Sequence, residues 1–264
     1  ITEAPDEETG QDSITATSLN DVAKQIVEKT KEKADAVQGT GGLEQWNKPR
    51  IDIYRYLATL YSFVIMGMND AAYGLETFYD VNYTIISLVF LAPFVGYTLA
   101  AILNNRIHLK FGQLGVATIA PTCKIVAYVG TCAHPPYPVL PILFILAGFG
   151  NGLEDGGWNS WIGNMENANE LLGLLHGAYG AGGTISPLIA TAMVTKGNWP
   201  WYTFYYMMVG LAVIELLVCK LSFRKASGAI HRAASVRNNI AGESSTKEAL
   251  KNHITWICAF FLLC

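Results

Sequence analysis

Carboxylates lie inside long apolar segments of this 264-residue chain: Asp70 in the first, Glu154 and Asp155 in the fourth, Glu215 in the sixth. An acidic group at the bilayer centre costs roughly 2.5–3.5 kcal/mol on insertion scales, so such residues face a polar partner or a water-filled path. Burial disfavours the charged form of a carboxyl, which lets a poorly hydrated acid take up a proton and release it when water reaches it. Lys124 sits mid-way along the third segment and is a charge partner for Glu154 or Asp155. A sealed pair would fix packing without carrying protons; an acid facing water would exchange them. Both readings of Asp70 and Glu154 stay open on these residues alone.

Other groups accompany the acids. On a helix, Glu154, Trp158 and Trp161 are spaced by four and three and share one face. An acid with two indoles suits stacking on a sugar ring or another ring-bearing solute, and Asn159 adds a donor and an acceptor beside it. Packing of the indoles against the second segment is the alternative. His176 and Tyr179, three apart near the start of the fifth segment, are candidates for an inner gate, a proton path or a solute contact. Glu215 is expected within two turns of the inner edge, snorkelling or paired with a basic residue there.

The elements that must position these groups follow from hydropathy. Apolar residues make up 51% of the chain and charged residues 15%, and the charges cluster in 1–55 and 222–253. A spanning helix needs about 20 mostly apolar residues. Six segments qualify: Tyr54–Leu75, Thr84–Leu103, Leu114–Ala133, Val139–Met165, Leu171–Val194 and Trp199–Cys219. A seventh starts at Ile254 and stops at Cys264, too short to span, as though the chain were cut there. The chain therefore reads as an all-α polytopic membrane protein in the lipid bilayer. Its expected parts are a largely disordered cytosolic tail (1–50), a six-helix bundle (51–220), a central cytosolic loop (221–253) and the start of a seventh helix (254–264).

Lys and Arg in short loops set orientation. Lys48, Arg50 and Arg55 precede the first span, Arg106 and Lys110 follow the second, and Arg224, Lys225, Arg232, Arg237, Lys247 and Lys251 follow the sixth. The loops of the other side hold only Lys196. The N-terminus is thereby expected in the cytosol. Trp199, Trp201, Tyr202, Tyr205 and Tyr206 form an aromatic anchor at the outer start of the sixth span. Gly173, Gly177, Gly180, Gly182 and Gly183 in the fifth allow close helix approach, and with Pro187 they allow bending. The net charge of -3 and the lack of a basic groove argue against nucleic acid. The cysteines show no metal-ligand spacing, and no cofactor, metal site or nucleophile motif is expected, so an enzyme is disfavoured.

Several stretches together resemble the fucose permease branch of the major facilitator superfamily, in a fungal form. They are Met68-Asn69-Asp70, Phe94 to Ala101, Asn104-Asn105-Arg106-Ile107-His108, Ala147 to Asn159 with its Leu153-Glu154, His176-Gly177 with Tyr179-Gly180, and Ser186 to Thr191. The match covers 50–220. The resemblance implies a twelve-helix fold of two six-helix halves with solute held between them; this chain would be the first half, and the missing C-terminal half its partner. The superfamily's loop motif is degenerate here, falling on Asn105, Leu109, Lys110, Gly112 and Gln113 without its Asp. Arg106 and Lys110 remain as a partial cytosolic latch. The resemblance also makes Asp70 and Glu154 the proton-coupling acids, with Glu154 exchanging the proton in the solute cavity and Asp70 acting as a switch nearer the outer side.

The resulting expectation is a proton-coupled symporter of a sugar-like or other small polar solute, multi-pass in the plasma membrane. The alternatives are a receptor or sensor on the same helices and a fragment inactive on its own.

Overall fold

The computed structural model describes residues 44–70, 83–229, 251–253 and 255–257. The chain divides into Ile1–Leu43 and Glu44–Cys264, and every described residue belongs to the second unit. Most of the expected disordered tail (1–50), most of the central loop and most of the seventh segment lie outside the described residues.

Among the described residues stand six long helices: α1 (Ile51–Asp70), α2 (Tyr83–Phe111), α3 (Gln113–Cys132), α4 (Leu140–Ile162), α5 (Ala168–Thr195) and α6 (Thr203–Phe223). Three of them, α3, α4 with the short 3-10 turn before it (Tyr137–Val139), and α6, are long and apolar enough to cross a membrane. The protein is an all-α, multi-pass membrane protein. Large apolar side chains stay exposed on the bundle surface, among them Ile102, Ile142, Leu188, Leu217 and Leu221. In water such a surface would be a liability; against lipid it is the expected one.

The helix bounds differ from the apolar segments in ways that matter for the site. Helix α2 continues through the polar run Asn104–Lys110 to Phe111, because a helix satisfies its own backbone whatever its side chains. It stops at Gly112, whose φ of 71° is left-handed. A side chain there would also run into the backbone of Ala226–Gly228, which follows α6. Helix α6 starts four residues later than Trp199 and runs on to Phe223, which moves Glu215 about one turn deeper.

Several helix ends meet at one end of the bundle. The backbone of Glu166, after α4, donates to Glu44, before α1 (2.9 Å), and Leu114 at the start of α3 donates to Ala226 after α6 (3.1 Å). Arg55 near the start of α1 reaches the Ser222 carbonyl (3.3 Å) and Asp52 (2.8 Å). These contacts gather one end of the bundle. Helices α1 and α5 run parallel: Tyr56 bonds the Leu171 carbonyl (2.9 Å), and Ser186, further along, bonds that of Met68 (2.7 Å). Helix α4 runs parallel to α2: Gly148 lies against Pro93, Gly152 against Tyr97 and Gly156 against Asn104. Glycine makes both pairings close: a methyl on Gly67 would meet the Tyr179 carbonyl, and one on Gly148 would lie 2.5 Å from the Pro93 carbonyl. On α5 only Gly182 and Gly183 face α1; added methyls on Gly173, Gly177 and Gly180 would enter open space.

Gly67→Val should therefore destabilise the full-length protein in detergent by about 1–3 kcal/mol or more through overpacking. Gly210→Ala, where nothing lies near the added methyl, should be neutral or stabilising by up to about 1 kcal/mol. Thermal unfolding compares them, and equal losses would contradict the packing described.

Candidate functional site

Two polar centres occupy the interior. In the first, the Lys124 ammonium of α3 donates to Glu154 Oε2 of α4 and to Glu215 Oε1 of α6, each at 2.6 Å. All three side chains are 0% exposed. Ser62 of α1 donates to the same Glu154 oxygen (2.7 Å), and Trp158 Nε1 approaches the Ser62 hydroxyl (3.4 Å). One ammonium thus ties three helices, with a fourth joined through a hydroxyl. Glu154 Oε1 and Glu215 Oε2 are buried without a hydrogen-bond partner.

The second centre is Asp70, the last described residue of α1, and it is half-buried. Its Oδ1 accepts from Asn69 (2.9 Å) and Asn151 (3.1 Å). Its Oδ2 accepts from Tyr179 (3.1 Å) and, more weakly, Tyr97 (3.4 Å). Helices α1, α2, α4 and α5 each contribute a donor, and every donor is neutral. Among the described residues Asp70 forms no salt bridge.

The geometry sorts the residues singled out in the sequence. Lys124 meets Glu154 and not Asp155, which is half-buried and held by Asn159 Nδ2 on its own helix (2.8 Å). Glu215 does not snorkel at an edge: the later start and end of α6 put it at mid-helix, where a lone carboxylate must find a cation. Trp158 and Trp161 share a face, as spaced, but the face is not open to a solute. Trp158 is fully buried and stacks on Phe223 of α6 (4.6 Å, 18°), and Trp161 meets the same ring edge-on (5.4 Å). The extension of α6 to Phe223 supplies that ring, so the indoles stack on the sixth helix. Tyr179 lies further along α5 than the expected inner gate: the parallel α1–α5 packing sets it against the end of α1, beside Asp70. His176 is exposed and contacts Phe63 edge-on (5.8 Å), on the side of α5 within electrostatic reach of Asp155. Arg106 is exposed on α2, and Lys110 lies over the Phe111 ring (5.1 Å) beside the turn after α6.

Sequence reasoning gave no site role to Asn69, Tyr97 or Asn151, which it met only inside longer stretches, and passed over Ser62. Ser62 and Asp70 are eight apart on α1, and Asn151 and Glu154 three apart on α4, so both polar centres recur on the same two helix faces. That pairing of polar positions within apolar segments was the available signal.

The chain matches the Major Facilitator Superfamily over residues 55–264. It belongs to that family. The superfamily match takes in α1 from Arg55 onward and all of α2 to α6, so both polar centres lie within it. The chain is also similar to a curated yeast protein, "Bypass of stop codon protein 6" of Saccharomyces cerevisiae (strain ATCC 204508 / S288c), at 28% identity over 168 residues. That alignment covers 60% of this chain and 34% of the yeast protein, so this superfamily chain spans about a third of the length of the relative it matches. There is no metal-ion cluster of His, Cys, Asp or Glu among the described residues.

Removing Lys124 leaves two buried carboxylates without their cation, the case that costs about 3–5 kcal/mol. Lys124→Met should strongly destabilise the full-length protein, and adding Glu154→Gln and Glu215→Gln to it should recover much of the loss. Unfolding midpoints of the single and triple variants test this; a triple variant no more stable than the single one would show that charge is not what the triad balances.

Proposed function

We propose that the full protein is a secondary transporter that moves a sugar-like or other small polar solute with protons by alternating access, and that this chain supplies its N-terminal six-helix half. Membership of the superfamily supports the transporter reading. Asp70 carries the proton-coupling reading. An acid that is only half-buried, held by neutral donors from four helices and unpaired by any described cation, has a reason to exchange its proton with water and solute. Each donor belongs to a different helix, so a shift of one helix alters how well the anion is held. Solute hydroxyls competing for the same donors would then couple solute to proton, and linkage makes that coupling reciprocal.

Glu154 is the less suitable of the two acids. It is paired with the Lys124 cation, and it has no exposed surface in which to meet solute. Tyr97 and Tyr179, which bond Asp70, together with Asp155, Asn159 and His176, are the better candidates for contact with solute, because they are exposed or half-buried. The solute cavity itself would be completed by helices beyond Cys264. Arg55, Lys110, Arg224 and Lys225 share one end of the bundle, which supports a cytosolic N-terminus by the rule of basic loops. The plasma membrane is the proposed location. A receptor on the same helices is the second reading; it would bind solute without moving protons.

Full-length protein in vesicles with an imposed proton gradient tests the proposal, using a panel of neutral monosaccharides that includes fucose. Uphill accumulation of at least one sugar should vanish when the gradient is collapsed. Asp70→Asn should abolish that accumulation while sparing equilibrium exchange. Accumulation unchanged in Asp70→Asn would remove Asp70 from the mechanism, and saturable binding without proton movement would favour the receptor.

A further inference from the structure

The inner centre holds two carboxyl groups and one ammonium, all fully buried. With both acids ionised the cluster carries a net negative charge in a region of low dielectric, where an uncompensated charge is costly. Among the described residues its surroundings offer no second cation. The groups that face it are Tyr61 and Ser62 from α1, Cys123 and Tyr128 from α3, and Cys219 from α6. The thiol of Cys219 is turned to the Ala58 carbonyl (3.9 Å), and the Tyr61 hydroxyl to that of Leu211 (3.1 Å). None of these supplies positive charge.

Three unpaired atoms point to what completes the cluster. Glu154 Oε1 and Glu215 Oε2 are buried acceptors without a donor, and the Tyr128 hydroxyl is buried without a partner. Tyr128 lies one helical turn from Lys124 on the same face of α3, within electrostatic reach of Glu215 on one side and Asp70 on the other. A carboxyl O–H is the smallest group that both removes the excess negative charge and adds a donor there.

We propose that the Glu154–Lys124–Glu215 triad is a proton-binding site that holds one resident proton, shared between its two carboxyls, and keeps it while Asp70 cycles. The balance is simple. Two carboxylates contribute two negative charges, the ammonium one positive, and the proton bonded to a carboxyl oxygen brings the sum to zero. No bond other than O–H forms or breaks. The proton is structural, because the site is closed by four helices of a single bundle and has no exposed atom through which to exchange on each turn of a transport cycle. It lets one lysine tie two helices that would otherwise repel through their acids. The inference rests on the transport reading only for the role of Asp70.

Infrared spectroscopy of the purified full-length protein in lipid nanodiscs reads the proton directly, through the carboxylic C=O stretch. The wild-type protein should show that band at neutral and mildly alkaline pH, and incorporation of glutamate carrying a 13C side-chain carboxyl should shift it. Glu154→Gln and Glu215→Gln should each abolish the band, since one acid and one ammonium balance without a proton. Asp70→Asn should leave it in place, so a failure of Asp70 in transport does not bear on this result. The absence of the band in wild type would overturn the proposal. So would a band that the glutamate label does not shift, a band that survives both Gln substitutions, or one lost in Asp70→Asn. The labelling arm needs no variant, so the proposal is decided even if a substituted protein does not fold.

Discussion

The buried charge of Lys124 is the constraint around which the bundle is arranged. An ammonium at that depth is tolerable only with carboxylates in contact and geometry good enough to offset the loss of water. Two acids at 2.6 Å provide this, and they come from different helices, so α3, α4 and α6 have their register fixed at that level. Ser62 brings α1 into the same arrangement. In lipid there is little hydrophobic force between helices, and polar contacts with close packing of small residues carry the specificity instead. The triad supplies the first, and the glycine contacts of α1 with α5 and α2 with α4 supply the second.

With that centre fixed, the position of Asp70 follows. Tying α1 through Ser62 and packing it parallel to α5 through Gly67 and Gly182 brings the end of α1 against Tyr179, and α4 presents Asn151 to it. The two centres differ in kind although both are acidic. One contains its own cation and is closed; the other is surrounded by neutral donors and is partly open. A membrane bundle that must both hold its shape and respond to a proton has use for each, and separating them lets one acid change state without loosening the packing.

Much of this was legible in the sequence. The apolar segments give the helices, and Lys124 in mid-segment announces a buried acid partner, since a lone ammonium has no other way to stay there. Which acid, and how many, was not legible. Asp155 and Glu154 are adjacent, so one residue of rotation about α4 decides between them, and hydropathy does not report rotation. Glu215 was displaced toward the edge because the apolar run of the sixth segment begins with aromatic residues, three of which (Trp199, Trp201 and Tyr202) precede the helix. The spacing of Trp158 and Trp161 gave their common face correctly but not what the face meets; Phe223 lies beyond the apolar segment as drawn. Tyr179 was assigned by its distance from the start of a helix, whereas parallel packing against α1 determines its neighbour. The expected features before Glu44 and in most of the seventh segment concern residues other than those described.

The central claim is that Asp70 meets water while Glu154 and Glu215 remain sealed with Lys124. Modification of the full-length protein by a water-soluble carbodiimide with an amine nucleophile, read residue by residue by mass spectrometry, tests it most directly. The account predicts labelling of Asp70 and none of Glu154 or Glu215, with and without a proton gradient across the membrane. Labelling of Glu154 or Glu215 as readily as Asp70 would contradict it.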